Sequence, residues 1–389
     1  MSLLAQEATR PKVAPQPVGA YVPDQSRAER TRSFDVADFP LPHGREEEWR
    51  FTPLERVAAL LRDEPSPVAL DRSQELPAGV TVSHIPHEEA RRLGAPAPAD
   101  RAAVLAAARA PHVTLIDIDA GAELTSPVRI RLTGSGGVVH QQTIVRVGQF
   151  ATASVLFEYA GTADCADLLT VLVGDGAHVN VASVQEWADD AHHLAQHDVV
   201  VGRDATVRHI VVTLGGALVR LNTNVTYAGP GGSFDAFGVY FADAGQHLEH
   251  RLFVDHEPPR CRSNVEYKGA LQGASAHTVW VGDVLIRATA EGTHTYELNR
   301  NLILSDGARA DSIPNLEIET GEIAGAGHAS TTGRFDDQQL FYLMARGIPE
   351  HEARRLVIRG FFASIISRIG VPIIVGHLMT VIDKELESA

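Results

Sequence analysis

Glycines that recur at nearly regular intervals constrain this chain more than any other feature of its sequence. Gly148, Gly174, Gly202 and Gly231 are separated by 26, 28 and 29 residues. No clear helix-length apolar pattern interrupts this part of the chain for roughly 200 residues. Such a repeat favours a stack of similar coils with glycine-rich corners, which is a β-helix or solenoid. A sandwich or barrel is the alternative, but its strands usually recur about every 8–12 residues.

The segments between the glycines alternate apolar and polar residues. In residues 178–182 (HVNVA), Val179 and Val181 point to one side while His178 and Asn180 point to the other. This period of two residues is typical of a strand. Strands are predicted on this basis at residues 113–118, 143–147, 178–182, 206–210 and 277–281.

Helical patterns flank the strand-rich region. Residues 45–61 end in an Ala/Leu helix with Pro53 in its first turn, and residues 101–110 form a second helix that Pro111 stops. Near the C-terminus, Asp336 or Asp337 caps a helix that Gly347 ends. Its predicted apolar face consists of Leu340, Phe341, Leu343 and Met344.

Two more helices are predicted, from about Pro349 to Ile369 and from Pro372 to Leu386. The end of the first (FFASII, residues 361–366) is apolar on nearly every side, so it must be buried either on the chain itself or on a partner. The predicted organisation is a flexible tail at 1–33, an N-terminal helical domain at 34–110, a β-helix core at 111–325 and a C-terminal helical domain at 326–389.

Charge and cysteine content exclude several classes of function. The chain has 49 Asp and Glu against 34 Lys and Arg, a net charge of −15, and no dense basic run, so nucleic-acid binding is not expected. Two cysteines, Cys165 and Cys261, make neither a disulfide framework nor a CxxC zinc site. The sequence contains no run of 18 apolar residues, so no membrane span is predicted. Its N-terminus has no apolar signal region, and a cytoplasmic location is expected.

Catalytic motifs are missing from the sequence. It contains no GxxxxGK[ST] loop, no GxSxG elbow and no HExxH pair. His192 and His193 are expected in a solvated turn rather than at a metal. A second histidine group, His247, His250 and His256 with Cys261, leaves metal binding open, although strand faces and core positions account for these residues as well.

One histidine, His328, lies among residues too small to form a core, in the segment IAGAGHASTTG at 323–333. Around it the C-terminal third carries a series of distinctive segments: GDVLI at 282–286, NRNLILSD at 299–306, PNLEI at 314–318 and DQQLFYLMARGI at 337–348. In this order they resemble the SufB/SufD family of iron–sulfur cluster assembly proteins. HEPPRCRS at 256–263, YKGA at 267–270 and EWRFTPL at 48–54 extend the resemblance over roughly residues 40 to 389. The chain is more similar to SufD than to SufB, because residues 301–306 contain no thiol where SufB has a cysteine.

This resemblance implies a mainly β protein with a right-handed parallel β-helix core, flanked by N- and C-terminal α-helical domains. It also implies a heterodimer with SufB through the β-helix, and SufC, an ATPase, bound through the C-terminal helices. His328 matches the family's histidine at the SufB–SufD interface, near a cluster-related cysteine of SufB. It is therefore the expected metal ligand, with a structural hydrogen bond across the interface as the alternative. Some SufD chains have a cysteine where this chain has Ala326.

The expected function is a scaffold subunit without catalytic activity of its own. Iron–sulfur clusters are usually held by four thiolates, with imidazole as an occasional substitute, so two cysteines do not suffice for a stably bound cofactor. A nascent cluster shared with SufB is expected instead. The contacts to SufC are predicted to come from Asp336, Leu340, Phe341, Met344 and Arg346.

Two other functions were weighed against this one. A β-helix enzyme acting on polysaccharides would need paired acids on adjacent coils, and Asp175 and Asp204 do recur one repeat apart. Each closely follows a corner glycine, where a turn-forming aspartate is expected. A homodimer of the isolated chain that stores or carries a cluster is disfavoured by the low cysteine count, although a homodimer as such stays open.

Overall fold

Sixteen strands form a parallel solenoid in the part of the chain that the structure describes. In this computed structural model the described residues are 30–335, 337–369, 371, 372, 375, 376, 378–380 and 383. Residues 1–29 of the predicted tail, Asp336 and most of the predicted helix at 372–386 lie outside them. The prediction of a mainly β, parallel solenoid with helices towards both termini is confirmed.

The strands have the following bounds: β1 Asp71–Glu75, β2 Val80–Ile85, β3 Val113–Ile118, β4 Val128–Val147, β5 Thr152–Val173, β6 His178–Trp187, β7 His192–Val201, β8 Thr206–Thr213, β9 Leu218–Tyr227, β10 Ser233–Ala242, β11 His247–His256, β12 Arg262–Leu271, β13 His277–Ile286, β14 His294–Ile303, β15 Arg309–Ile318 and β16 Gly325–Arg334. The helices are α1 His87–Arg92, α2 Arg101–Arg109, α3 Asp337–Met344 and α4 Glu350–Ile369, with 3-10 helices at Val36–Asp38 and Leu54–Leu61.

Each coil contributes one strand to each of two faces. Strands β6, β8, β10, β12, β14 and β16 stack in parallel on one face, and β7, β9, β11, β13 and β15 stack on the other. The long strands β4 and β5 run through both faces. The five predicted strands all fall within this stack.

Strands β5 to β13 are largely buried on both sides, which is common for parallel sheets. Val179, Val207 and Phe234 are in register and belong to the core inside the coils, which we call the lumen. The next outward-facing column, Ala182 with Ile210 and Phe237, packs instead against α4. Strands β6, β8 and β10 thus join the internal core to an outer helix.

The corner glycines allow consecutive coils to approach each other closely. A Cβ on Gly174 would lie 2.7 Å from the backbone nitrogen of Gln149, and one on Gly202 would lie 2.6 Å from the carbonyl oxygen of Val173. Gly148 would meet the backbone nitrogen of Ala120 at 2.4 Å. The glycine repeat therefore reflects stacked backbone, and it locates the corners of the solenoid.

The N-terminal region is not the helical domain that the sequence predicts. Residues 101–109 do form α2, and the Asp100 side chain accepts a hydrogen bond from Ala103 N at its start. However, Leu54–Leu61 is a 3-10 helix, and β1 and β2 add to the solenoid by pairing antiparallel with β4 and β3. Strand β1 (DRSQE) contains no apolar residue, so it lacks the apolar–polar alternation that predicts a strand.

The C-terminal boundary also differs from the expected residue 325. Strand β16 runs through Arg334 and pairs with β14, so the solenoid continues through the glycine- and alanine-rich segment around His328. Helix α3 then follows, and Gly347 has the positive φ of +85° expected after a helix end.

The apolar segment at residues 361–366 lies in helix α4, which packs on the solenoid. Ile358, Phe362, Ile365 and Ile366 pack on the outer face formed by β8 and β10. Lys268 Nζ donates to the carbonyl oxygen of Phe361 at 3.0 Å. The segment is therefore buried on the chain's own solenoid.

Candidate functional site

His328 lies on β16, the last strand of its face, and its side chain is exposed. Two residues earlier, Ala326 packs against the lumen core, so alternate residues of β16, including His328, face the lumen side. The coil beneath supplies Glu297, which is in register with His328 on β14. His328 thus stands at the open mouth of the lumen.

The backbone of β16 has one unpaired edge. Gly325 N donates to Thr293 O at 3.3 Å and Phe335 N donates to Ile303 O at 2.9 Å, so odd-numbered residues pair with β14. In a parallel strand the intervening residues then direct their N–H and C=O groups to the opposite side. His328 therefore presents both its imidazole and its backbone at an edge that no other described strand covers.

A cluster of unpartnered polar atoms lies just inside the mouth. Both carboxyl oxygens of Glu297, Trp280 Nε1 and Ser312 Oγ are buried without a hydrogen-bond partner among the described residues. Burial, together with the nearby Asp283 carboxylate, raises the pKa of Glu297 well above its ordinary value. Buried polar groups are nearly always paired in folded proteins, so this cluster calls for an explanation.

The metal donors of this chain are sparse. Within the described ranges no group of three or more His, Cys, Asp and Glu side chains is placed to hold a metal ion. Cys165 and Cys261 are unpaired and buried, and burial raises the pKa of both thiols. An iron–sulfur cluster held at His328 would therefore need thiolates from another molecule.

The predicted partner-binding residues of α3 differ in exposure. Leu340 is only 7% exposed, whereas Phe341 is 73% and Met344 is 42% exposed. Leu340 is therefore largely buried, whereas Phe341 and Met344 are accessible at the surface. Arg346 is exposed and lies over the Tyr342 ring at 4.5 Å, while Asp336 is outside the described residues.

The other histidine groups do not converge on a metal. His192 lies 2.7 Å from Asp164, while His193 points into the lumen and accepts from Trp187 Nε1 at 3.2 Å. These two residues begin β7 rather than occupying a solvated turn. His247 contacts His277 at 3.2 Å, whereas His250 contacts Thr213 Oγ1 and His256 contacts Ser263 Oγ.

The two repeated aspartates are corner residues. The Asp175 carboxylate accepts a hydrogen bond from Arg203 N at 2.9 Å, and Asp204 has a positive φ of +54°. A carboxylate that accepts from a nearby backbone N–H and a positive φ are both typical of turn-forming aspartates. The two residues therefore provide no acid pair for glycoside hydrolysis.

Glu297 is the residue that sequence reasoning missed. It precedes the distinctive segment at 299–306 by two residues and His328 by one coil. The repeat length could have pointed to it, but only the register of β14 against β16 shows that the two side chains share a face.

No helix in the described part of the chain is both long and apolar enough to cross a membrane.

The sequence is similar to a known protein family and to several of its members. Residues 130–361 match a family model described as the SufBD core domain of SUF-system FeS cluster assembly. An iron–sulfur cluster assembly SufBD family protein of Mycobacterium tuberculosis is 48% identical over 378 residues, covering 93% of this chain and 94% of that protein. One from Mycobacterium leprae is 48% identical over 367 residues, covering 91% and 93%. The iron–sulfur cluster assembly protein SufD of Escherichia coli is 28% identical over 196 residues, covering 50% of this chain and 46% of that protein.

Proposed function

We propose that this chain, which belongs to the SufBD family of iron–sulfur cluster assembly proteins, is the SufD-like scaffold subunit of a SUF complex. The observation that carries the proposal is His328, an exposed imidazole on an unpaired edge strand, with too few donors among the described residues around it to hold an iron–sulfur cluster alone. Such a half-site suits a nascent cluster completed by thiolates of a second subunit. The chain itself would then catalyse no reaction.

The partner at this edge is proposed to be SufB. The edge of β16 keeps all of its backbone donors, because its sequence contains no proline. On the other face, the backbone N–H groups of Arg309 and Glu319 donate towards β13, so the even-numbered residues of β15 direct their backbone groups outwards. One of these outward residues is Pro314, which has no N–H to donate, so the edge of β15 lacks one hydrogen-bond donor. Strand addition at β16 would bring a partner's backbone directly past His328.

SufC is proposed to bind at α3 through the exposed side chains Phe341 and Met344, with Arg346 at the rim. Leu340 instead holds α3 on the protein. Helix α4, which follows α3, is attached to β12 by Lys268, and also by Arg368, which pairs with Glu266. Movement of SufC during ATP hydrolysis could therefore be transmitted to the stacked strands. Both cysteines are free thiols, which fits the proposed cytoplasmic location.

The decisive experiment is co-expression of the chain with SufB and SufC, with His328→Ala compared with wild type. We expect the complex to assemble but its iron and acid-labile sulfide to fall severalfold, because one cluster ligand is lost. His294→Ala is the matched control, since His294 is an exposed histidine at the start of β14.

Normal iron and sulfide in the His328→Ala complex would contradict the ligand role and leave His328 with a structural one. If the chain forms only homodimers and never binds SufB, the heterodimer proposal itself is wrong. Both outcomes are read from the same purification by size-exclusion chromatography and metal analysis.

A further inference from the structure

Glu297 is a buried acid for which the fold provides no partner. Its side chain is 1% exposed, and neither carboxyl oxygen has a hydrogen-bond partner among the described residues. Leaving a buried carboxyl group unpaired is unfavourable by several kcal/mol at the order-of-magnitude level. An apolar residue of similar size would pack there at a lower energetic cost, so stability does not account for this acid.

The position of Glu297 is fixed by its strand. Thr295 and Asn299, two residues to either side, make lumen hydrogen bonds to Ser263 Oγ at 2.7 Å and to Tyr240 Oη at 2.9 Å. Glu297 therefore faces the lumen, on the same side as His328, with which it is in register. Neighbouring strands lie about 4.8 Å apart, so the two side chains occupy successive levels of one column.

The opposite wall leaves space for the carboxyl group. A Cβ on Gly282 of β13 would lie 2.7 Å from Glu297 Oε1, so the acid extends across the lumen to a position that glycine keeps open. Ser312 Oγ and Trp280 Nε1 line the same wall and are also unpartnered. The mouth of the lumen thus holds an imidazole, a carboxyl group and a hydroxyl group with unused bonding capacity.

We propose that Glu297 is a second protein ligand at the His328 site, and that the two side chains together bind one ferrous ion in the mouth of the lumen. This rests on the proposed function, which it extends from a cluster shared with SufB to a named iron-loading site on this chain. Imidazole and carboxylate are both suitable donors for Fe²⁺. Two protein ligands leave most coordination positions open to sulfide and to thiolates of the partner. Glu297 binds the metal as a carboxylate, any proton that it carries is released to the solvent on binding, and no oxidation or reduction is involved.

The test uses the full-length chain alone, under anaerobic conditions. Binding of Fe²⁺ is measured by equilibrium dialysis, and Co²⁺ serves as a spectroscopic probe whose visible absorption reports nitrogen and oxygen ligands. The variants are Glu297→Gln, His328→Ala and the double variant. Glu322→Gln is the control, because Glu322 is an exposed carboxylate in the corner before β16.

We expect one metal ion to bind per wild-type chain, and each single substitution to weaken binding about tenfold or more. The double variant should lose little beyond either single one, because both ligands serve one ion. Glu322→Gln should bind like wild type, and Glu297→Gln should unfold at or above the wild-type temperature, which shows that the variant is folded.

Wild-type-like binding by Glu297→Gln would overturn the inference, and so would a wild-type chain that takes up no metal at millimolar Fe²⁺ or Co²⁺. The proposed function is tested separately by the complex with SufB. If cluster content falls for His328→Ala but is normal for Glu297→Gln, only the inference fails. If the isolated chain binds iron through both residues but the cluster content of the complex depends on neither, the proposed function fails and the iron site stands.

Discussion

The two ends of the solenoid are finished in opposite ways. At the N-terminal end, β1 covers the edge of β4 and β2 covers the edge of β3, each in antiparallel pairing. At the C-terminal end, β15 and β16 each pair with one strand only, and no described strand covers them. Solenoids need their ends closed, because open coils expose both core and backbone. One end is thus closed by the chain itself, and no described strand closes the other.

Charged pairs show a related contrast between the packed body of the solenoid and its open end. On β9, in the middle of its face, Arg220 Nη1 lies 2.7 Å from Asp100 Oδ2, both side chains are buried, and the guanidinium group of Arg220 lies over the Trp49 ring at 3.9 Å. Near the open end, Arg334 Nη1 lies 2.8 Å from Asp306 Oδ1, but both side chains are largely exposed. The same chemistry therefore has a structural role in the packed body and little energetic effect at the open end.

Asp100→Ala should give the largest effect. The change removes the N-cap of α2 and leaves Arg220 buried with weaker compensation, so we expect the free energy of unfolding to fall by about 3–5 kcal/mol. Asp306→Ala should change it by less than about 0.5 kcal/mol. Urea denaturation of both variants measures the difference, and equal losses would show that burial does not distinguish the two ion pairs as described.

Acidification should have the next largest effect on stability, through histidines that are buried inside the solenoid. Burial lowers the pKa of His209 to about 4 and those of His250 and His256 to about 3. In the unfolded chain these rings bind protons below about pH 6.5, whereas in the folded protein they stay neutral. The unfolded state therefore binds more protons between these values, and stability falls as the pH falls from about 6.5 towards 3.

Each of these histidines should lower the free energy of unfolding by about 2 kcal/mol between about pH 7.5 and pH 5. Denaturant titrations across this range measure the slope. His250→Gln should make it shallower, because Gln does not titrate. A slope unchanged by this substitution would mean that His250 takes up a proton while folded.

The smallest effect on stability is expected for Phe341→Ala, on the helix that follows the open end. Phe341 is exposed, so the free energy of unfolding should change by less than about 0.5 kcal/mol, whereas Leu340→Ala should lower it by about 2 kcal/mol. Binding to SufC should weaken for Phe341→Ala, as measured by isothermal titration calorimetry. If only Leu340→Ala weakens binding, α3 supports the protein but does not contact SufC through this surface.

Local patterns were sufficient to predict much of the fold. Alternation identified strand positions such as Val113–Ile118, and the capping and stop signals located α2 and the end of α3 near Gly347. These signals act over a few residues, so they can be read without knowledge of the rest of the chain. The exposed, polar β1 and the small-residue strand β16 carry no such signal, and both were missed as strands.

The repeat, its glycine corners and the exposed His328 can be read from the sequence alone. Which side chains meet across coils depends on the folded structure, because the step between registered residues varies from 26 at Thr152 and His178 to 32 at Arg262 and His294. A shift of one residue in the pairing of a strand would move all of its side chains to the other face. The pairing of Glu297 with His328, the separation of His247 from His250, and the docking of α4 on its own solenoid all depend on that register, which no local pattern fixes.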